Sequence, residues 1–413
     1  MLKKLRIERF KSIYDQDIEF GRVNLFIGTN GSGKSNILEA LGVLSAALSN
    51  GLDPVTLDLK GVRLSLPHIF KSAFKGFDLP KTFRLEATFQ NGRYETSIRA
   101  SPNNPVLEFH SEALYDGDKQ VFGRSSHGTR LHSVKDDVPN FSPDLVGPSR
   151  SVWSAIEPFV KISPGLRDEL DEFAKFAIYA PQTAVMRGLA IDPRVVEPLG
   201  LTGSGLASAF GQLQRSFKLE ELQKLVDIIW EPGWADMVRT GSFQPDIVPS
   251  QVRSEGTVLY IRDKFMQTSR NMLSAFDASE GTLYLIFVAT LLQHAGTPKV
   301  FALDNVDGTL NPKLVRKLSK HVIDVVATPQ TDKRQTFMTS HHPSSLDSFD
   351  IFDSSQRIFV CYRSPAEDGG AIGRSIFRPL LPPDGATKDS WTLMHRGKNL
   401  SELLLDNRIE RAL

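Results

Sequence analysis

The stretch Gly28-Thr29-Asn30-Gly31-Ser32-Gly33-Lys34-Ser35 fills every position of the pattern GxxxxGK[ST]. Residues 23–27 before it read as a buried strand, and residues 36–41 after it read as a helix. Glycines let backbone N–H groups point towards a triphosphate, and the start of the following helix adds partial positive charge. We therefore predict a nucleotide-binding P-loop, in which Lys34 reaches the β- and γ-phosphates and Ser35 places its hydroxyl on Mg²⁺.

Length and composition are those of an ordinary globular protein of 413 residues, which predicts two or three compact lobes. The formal net charge is +1, so the chain as a whole has no basic field that would attract nucleic acid. The single cysteine, Cys361, excludes an internal disulfide framework and a multi-cysteine zinc site. The first ten residues lack the apolar core of a secretion signal, and no apolar run approaches the ~20 residues of a membrane span. We therefore expect a cytoplasmic protein without a membrane partner.

Alternation of apolar and polar residues predicts an antiparallel sheet in the first part of the chain. Gln90-Asn91-Gly92-Arg93 lies between two such segments and is typical of a hairpin turn. The predicted strands span residues 5–13, 17–20, 23–27, 83–89, 94–100, 106–115 and 119–124. With the P-loop they define a first lobe over residues 1–124. The irregular segment 51–80 is either a mobile connection near the nucleotide or a surface excursion.

The middle of the chain, residues 125–270, is predicted to be a loop followed by a mostly helical insertion. Residues 125–150 are polar and contain scattered Gly, Ser, Asp and Pro, which is typical of a loop. Helical periodicity is present over residues 152–178 and again over residues 206–229. A strand is predicted at residues 257–262, near the end of this insertion.

Residues 271–413 predict a second lobe with further phosphate and metal contacts. Ser279-Glu280-Gly281 precedes an apolar helix over residues 283–292, and by itself this turn is an N-cap. An apolar strand over residues 299–303 ends at Asp304, the arrangement in which a buried strand brings a carboxylate to Mg²⁺. Further strands are predicted at residues 335–340, 358–362 and 376–379.

Two other features of this lobe allow more than one interpretation. The helix predicted over residues 312–326 has basic residues on its polar side, and that side is either a solvated surface or a patch that faces DNA or a partner. The basic residues are Lys313, Arg316, Lys317 and Lys320. His341-His342 follows the strand at 335–340, but no third or fourth ligand lies at metal spacing, so we do not predict zinc there.

The opening sequence "LRIERFKSI…DIEFGRVNLFIGTNGSGKSNILEAL" resembles the head of ABC-type ATPases. The resemblance is to the branch that holds chromosome-maintenance and double-strand-break-repair ATPases, together with overcoming-lysogeny-defect (OLD) proteins. It extends over nearly the whole chain and is loose between about residues 125 and 270. It implies an α/β P-loop NTPase with a mixed sheet, an antiparallel β subdomain and an inserted helical subdomain.

The resemblance also implies roles for individual residues. Ser279 and Gly281 correspond to the signature motif, which contacts the γ-phosphate held by the P-loop of another subunit. Asp304 is implied on the metal side, and His341 as the switch histidine that bonds the γ-phosphate. Gln182, in a stretch similar to one in OLD-like ATPases, is either the glutamine that senses Mg²⁺ and the γ-phosphate or a glutamine of a surface loop. The predicted nucleotide contacts are Asn30, Gly31, Ser32, Gly33, Lys34, Ser35, Ser279 and Gly281, and the predicted metal contacts are Ser35, Asp304 and Gln182.

Asn305 departs from the pattern that the resemblance implies. Hydrolysing ABC heads have at this position a glutamate that polarises the attacking water. An amide holds water by hydrogen bonds but does not accept its proton at neutral pH, so general-base help of ~10²–10⁴ in rate should be missing. Asp307 either substitutes for the glutamate or points elsewhere. We therefore predict catalytic positions at Asn305, Asp307 and His341, with ATP binding intact and fast hydrolysis in doubt.

By resemblance we predict an ATP- and Mg²⁺-binding subunit that dimerises around ATP without tethering arms or the TOPRIM nuclease of full OLD proteins. Stand-alone heads of this kind occur in Septu-like, retron-associated and PARIS-like anti-phage systems, where another polypeptide carries the nuclease or toxin. One mechanism is hydrolysis that drives or resets such an effector. A second is an ATP-gated scaffold with slow hydrolysis, which Asn305 favours. The third is a DNA-repair or DNA-processing ATPase, for which direct DNA binding is one option.

Overall fold

The computed structural model describes residues 1–100, 105–135, 146–194, 196–252, 256–327, 334–365, 372–406 and 408–409. The strands are β1 (Leu2–Phe10), β2 (Ile13–Glu19), β3 (Val23–Ile27), β4 (Thr82–Phe89), β5 (Gly92–Arg99), β6 (Glu108–Asp116), β7 (Lys119–Ser125), β8 (Gly128–Leu131), β9 (Ile178–Tyr179), β10 (Ala235–Gly241), β11 (Val258–Asp263), β12 (Met272–Ser274), β13 (Val300–Leu303), β14 (Gln335–Ser340), β15 (Gln356–Arg363) and β16 (Ser375–Pro379). The helices are α1 (Lys34–Ser49), α2 (Pro54–Leu59), α3 (Val152–Ile156), α4 (Pro164–Ala174), α5 (Thr183–Met186), α6 (Leu206–Ser216), α7 (Leu219–Leu225), α8 (Glu280–Gln293), α9 (Pro312–Ala327), α10 (Lys388–Met394) and α11 (Leu400–Leu405).

A mixed sheet in the order β16-β15-β3-β14-β13-β9 carries the predicted nucleotide site. Strand β3 runs parallel to both of its neighbours, β14 and β15, and β13 runs parallel to β14 and β9. Only the edge strand β16 is antiparallel to its neighbour in the described part of this sheet. Because the carboxyl ends of parallel strands share one edge, the segments after β3, β13, β14 and β9 meet there. Those segments contain the P-loop, Asp304, His341 and Gln182.

An antiparallel sheet in the order β2-β1-β4-β5-β6-β7-β8 packs against the other side of α1. Helix α1 is buried along most of its length, in a core with residues of both sheets. The side chain of Gln335, at the start of β14, ties the two sheets together through Leu2 and the Gly21 carbonyl. The hairpin predicted across residues 90–93 joins β4 to β5, with Thr88 opposite Arg93. This sheet therefore covers the side of α1 that faces away from the mixed sheet.

The predicted boundary at residue 124 falls inside the antiparallel sheet. Strand β8 pairs with β7 and places Thr129 opposite Arg124, so the prediction of a loop over residues 125–150 is wrong for β8. This strand is short and mostly half-exposed, so it lacks the apolar alternation by which strands are recognised in a sequence. Residues 136–145 of the predicted loop lie outside the described residues. The division of the chain into three parts stays a prediction.

The middle of the chain is less helical than its periodicity indicates. The segment 152–178 contains α3 and α4 as separate helices, because Pro158 and Pro164 interrupt the backbone hydrogen bonding between them. The segment 206–229 is likewise divided into α6 and α7, with a short 3₁₀ helix at Asp227–Trp230. Strands β10, β11 and β12 form a small antiparallel sheet, of which only β11 was expected. The irregular segment 51–80 contains α2 and a 3₁₀ turn at Pro67–Phe70.

Helix α8 is buried from Thr282 to Leu292 on all sides, as a helix that is apolar all round requires. It packs in one core with residues of the mixed sheet, α6 and α9. None of the helices in the described ranges has the length and apolar character needed to cross a membrane. The strands predicted at residues 358–362 and 376–379 correspond to β15 and β16.

Candidate functional site

The P-loop connects β3 to α1 as a turn with two glycines in the left-handed region. Gly31 has φ 78° and Gly33 has φ 104°. A Cβ on Gly33 would lie 2.1 Å from the Ser375 hydroxyl, so the loop needs glycine there for space as well as for conformation. Thr29, Asn30 and Gly31 are exposed, whereas Ser32 and Lys34 are buried.

The start of α1 has the properties of a phosphate-binding site. Gly33 is the N-cap and supplies no side chain, and the first turn contains no acidic residue. Within the described residues, the N–H groups of Gly31, Gly33 and Lys34 make no hydrogen bond. The Ser32 hydroxyl is also buried and has no hydrogen-bond partner among the described residues. Free donors at a helix N-terminus fit a polyphosphate, so the predicted contacts from Asn30 to Ser35 are in a suitable place for ATP.

Lys34 reaches back across the loop and meets the predicted switch histidine. Its Nζ donates to the carbonyls of Gly28 at 2.6 Å and Thr29 at 2.9 Å, and lies 3.3 Å from His341 Nδ1. Burial lowers the pKa of Lys34, and negative charges around it, including those of Asp304 and Asp307, act in the opposite direction. The sequence places these two side chains 307 residues apart, and the parallel pairing of β3 with β14 brings them together.

Ser35 and Asp304 form the predicted metal side of the site. Ser35 Oγ lies 3.2 Å from Asp304 Oδ2 and 3.4 Å from Oδ1. Thr339 Oγ1 donates to Asp304 Oδ1 at 2.5 Å and orients the carboxylate from the neighbouring strand. A carboxylate beside a hydroxyl at the end of a buried strand is the oxygen donor set that Mg²⁺ accepts. When bound with ATP, Mg²⁺ would neutralise charge that develops on the transferred phosphoryl group.

Asn305 is exposed and adopts the left-handed conformation, with φ 59°. Asparagine tolerates this conformation better than glutamate does, because its short side chain can bond the local backbone. The Asn305 N–H donates to Thr339 Oγ1 at 2.8 Å. The backbone here therefore suits the residue present, and a glutamate would be strained.

Asp307 contacts the segment that carries the switch histidine. Its Oδ2 accepts hydrogen bonds from Ser340 Oγ at 3.0 Å and from the N–H groups of His341 at 2.8 Å and His342 at 2.5 Å. Its Oδ1 is buried and has no hydrogen-bond partner among the described residues. Asp307 thus holds the His341 backbone in position, which is a different task from accepting a proton from an open water site.

Ser279 and Gly281 lie at the start of α8 and have no described hydrogen bond to the P-loop. Ser279 Oγ accepts from the N–H of Thr282 at 3.2 Å and lies 2.8 Å from its hydroxyl. Ser279 and Glu280 are exposed. A Cβ on Gly281 would lie 3.2 Å from Leu310, so this turn packs against the loop that follows β13. The structure therefore does not bring the two signature residues into the chain's own nucleotide site.

Gln182 follows β9, whose Tyr179 carbonyl accepts from the Asp304 N–H at 2.9 Å. The segment is therefore beside the metal side of the site. The side chain of Gln182 is exposed and makes no hydrogen bond to any described residue. Both interpretations of this glutamine remain open.

Several residues that support the site were not predicted from the sequence. Ser375 Oγ donates to the Ser32 carbonyl at 2.7 Å and lies 2.7 Å from Ser12 Oγ, and Arg363 Nε donates to the Gly31 carbonyl at 2.7 Å. These contacts join residues more than 300 positions apart, so no local pattern indicates them. Thr339 is different, because it lies two residues before His341 in a strand that is buried along its whole length, where a polar side chain needs a hydrogen-bond partner.

Two family models match the chain. One, described as AAA domain, matches residues 4–227, which is more than half of the chain. The other, described as AAA domain, putative AbiEii toxin, Type IV TA system, matches residues 235–347. The matches together include the P-loop, the signature turn, Asp304 and His341.

One curated relative and two solved structures extend this comparison. A DNA double-strand break repair Rad50 ATPase of Archaeoglobus fulgidus is 36% identical over 125 residues, which are 29% of this chain and only 12% of the relative. An Smc head bound to the C-winged helix domain of ScpA is similar with TM-score 0.53 and 14% identity, covering 92% of this chain and 98% of that one. An Smc head domain with an extended coiled coil, bound to the C-terminal domain of ScpA derived from Pyrococcus furiosus, has TM-score 0.50 and 12% identity, covering 96% and 98%. The predicted fold class, an ABC-type P-loop head, is confirmed.

Proposed function

Because the chain belongs to the AAA domain family and is an ATPase of the ABC-type, SMC- and Rad50-like class, we propose that two copies close around ATP and thereby gate a partner protein. The ATP-bound dimer is the signalling form, and slow hydrolysis ends it. A switch of this kind requires that ATP bind the closed dimer more tightly than the open subunit.

The observation that carries the proposal is that the cluster around the P-loop and the exposed start of α8 share no described hydrogen bond. Lys34, Asp304 and His341 meet in one chain, with Lys34 Nζ 3.3 Å from His341 Nδ1. Ser279, in contrast, is exposed and its side chain bonds only Thr282 among the described residues. Because the start of α8 is exposed, it is accessible to a phosphate that a second copy holds, even though Ser279 also caps its own helix.

Slow hydrolysis is proposed from Asn305. The position follows Asp304 directly and faces solvent, so it is suited to hold a water by hydrogen bonds without removing its proton. Asp307 is poorly placed to replace the missing general base, because its Oδ2 accepts three hydrogen bonds and its Oδ1 is buried. A long-lived ATP-bound state is the expected consequence.

The biological setting that we propose is bacterial anti-phage defence, with an OLD-like head that controls a nuclease or toxin encoded nearby. The sequence resemblance supports this setting. The family described as AAA domain, putative AbiEii toxin, Type IV TA system is also in keeping with a toxin-linked role.

The test is ATP turnover together with oligomeric mass, measured by light scattering in the same samples. Wild type is compared with Lys34→Ala and with two variants of the water position, Asn305→Glu and Asn305→Asp. Asp is included because it tolerates the left-handed conformation, whereas Glu is expected to cost about 1–2 kcal/mol there. We expect wild type to dimerise in ATP and to turn over well below ~1 s⁻¹. Lys34→Ala should do neither.

A carboxylate at position 305 should raise turnover and shorten the life of the dimer. Wild-type turnover at ~1 s⁻¹ or faster, abolished by Lys34→Ala, would contradict slow gating. A monomer at all ATP concentrations would contradict the clamp itself.

A DNA-processing ATPase is the second candidate, because the curated relative is named as a DNA double-strand break repair ATPase. The basic side of α9 gives this candidate limited support, since Arg316 pairs with Asp347 and Lys317 pairs with Glu231. Stimulation of turnover by double-stranded DNA, lost in Lys313→Glu/Lys320→Glu and falling steeply with salt, would favour it. No DNA effect at 50 mM salt would leave the gating function as the better account.

A further inference from the structure

Two polar atoms beside the nucleotide site are buried and have no hydrogen-bond partner in the described part of the chain. They are the hydroxyl of Tyr284, whose residue is 4% exposed, and Oδ1 of Asp307. Buried polar atoms without a partner are uncommon in folded proteins, so each one needs a structural or functional explanation. Neither atom has a role in the P-loop or at Asp304.

The two atoms belong to neighbouring elements. Tyr284 is in the second turn of α8, after the signature residues, and Asp307 is in the loop after β13. The start of α8 touches this loop, because a Cβ on Gly281 would lie 3.2 Å from Leu310 and 3.4 Å from the Thr309 carbonyl. Burial raises the pKa of the Tyr284 phenol, and the negative charges of Asp307 and Asp304 raise it further. The two buried atoms therefore belong to elements that contact one another.

The other oxygen of Asp307 leads to the switch histidine. Oδ2 accepts from the N–H groups of His341 and His342, and His341 Nδ1 lies 3.3 Å from Lys34 Nζ. Asp307 thus holds the histidine loop through Oδ2, while its Oδ1 is buried on the other side of the carboxylate. Any group that bonds Oδ1 also fixes the direction in which Oδ2 points.

We propose that the Tyr284 hydroxyl donates to a water molecule that in turn donates to Asp307 Oδ1, and that Tyr284 is thereby a positioning residue for turnover. Through this link, a movement of the start of α8 reaches His341. The link rests on the proposed function only in its last part, where the movement is caused by the phosphate of a second copy meeting Ser279. A tyrosine supplies both parts of this arrangement, since its ring packs with the apolar core and its hydroxyl remains polar.

The test compares Tyr284→Phe with Tyr260→Phe. The Tyr260 phenol is also buried, but it lies in the small antiparallel sheet and donates to the Ser242 carbonyl at 2.8 Å. In Tyr284→Phe we expect kcat to fall about tenfold with KM for ATP unchanged, the size of one lost hydrogen bond. The amides of His341 and His342 should exchange hydrogen faster in nucleotide-free protein. Tyr260→Phe should alter neither quantity.

A double-mutant cycle with Asp307→Asn shows whether Tyr284 and Asp307 affect turnover through the same interaction or independently. We expect the double variant to lose no more turnover than the stronger single variant. Wild-type hydrogen exchange and wild-type kcat in Tyr284→Phe, or losses that multiply in the double variant, would overturn the proposal. Faster exchange in Tyr284→Phe combined with a wild type that never dimerises in ATP would support the link and contradict the proposed clamp, so the two failures are distinguishable.

Discussion

Helices α1 and α8 both begin at a turn of serine and glycine, but their first turns are completed in opposite ways. The N-cap of α1 is Gly33, which supplies no side chain, and no acidic residue lies in the first turn. The N-cap of α8 is Ser279, whose hydroxyl accepts from the N–H of Thr282, and Glu280 lies in the first turn. One helix start is therefore left open for an anion, and the other is already satisfied by its own residues.

This difference shows how similar helix ends serve unlike tasks. An anion that meets α1 completes hydrogen bonds that the subunit lacks, so binding there needs no second copy. An anion that meets α8 must overcome the charge of Glu280 and compete with an existing cap. Under the proposed function, binding at α8 therefore requires a phosphate that another subunit already holds, which is the property of a gate.

The largest effect is expected from the glycines of the open helix start. Gly33→Ala should abolish ATP binding, because its φ is 104° and its Cβ would lie 2.1 Å from Ser375 Oγ. Gly31→Ala is the matched control, since its φ is 78° but no atom lies within 4 Å of its Cβ. It should lose about tenfold in affinity, which corresponds to strain of about 1–2 kcal/mol. Isothermal titration with ATP measures both, and equal losses would show that space at Gly33 is unimportant.

The next effect concerns the cap of α8. Ser279→Ala should lower the free energy of unfolding by about 1 kcal/mol, because the Thr282 N–H loses its acceptor. Ser279→Asp keeps a good cap but places a negative charge where a phosphate would arrive. We expect it to melt near the wild-type temperature, to bind ATP as a monomer and to form no ATP-dependent dimer. Normal dimerisation of Ser279→Asp, seen by light scattering, would show that the dimer contact does not lie at the start of α8.

A smaller effect is expected at Glu280, which is exposed in the first turn of α8. Glu280→Gln removes a like charge from the expected path of the phosphate, so the ATP-dependent dimer should tighten about threefold at low salt. The gain should shrink as salt is raised, because exposed charges are screened. A weaker dimer in Glu280→Gln, measured by sedimentation, would indicate that the carboxylate itself makes a contact.

The smallest effect is a pH dependence at α1. Burial lowers the pKa of Lys34, so its amino group loses the proton at a lower pH than an exposed lysine does. Only the charged form attracts phosphate, so ATP affinity should fall as the pH rises into the alkaline range. Binding should also take up protons, which calorimetry detects as a dependence of the measured heat on the buffer. Lys34→Arg stays charged, and any ATP affinity that it retains should not show this decline.

The contiguous parts of the site could be predicted from the sequence because each is local. The P-loop pattern lies between a strand and a helix, and Asp304 ends an apolar strand, so pattern and periodicity are sufficient. Strands β8 and β10 were not predicted, because their own residues contain no local pattern that indicates a strand. Their residues show little alternation of apolar and polar side chains. They are strands because they pair with neighbouring strands, and the sequence pattern does not indicate that pairing.

By itself, the sequence predicted where a phosphate and a metal would bind, because glycine, lysine, serine and aspartate at set spacing are suited to that chemistry. Only the tertiary structure showed which groups Asp307 and Ser375 contact. The pairing of β3 with β14 sets Lys34 beside His341, and the pairing of β15 with β16 sets Ser375 beside Ser32. Burial can be inferred from a pattern of apolar residues, but the identity of a distant partner cannot, since it depends on how separate elements pack against one another.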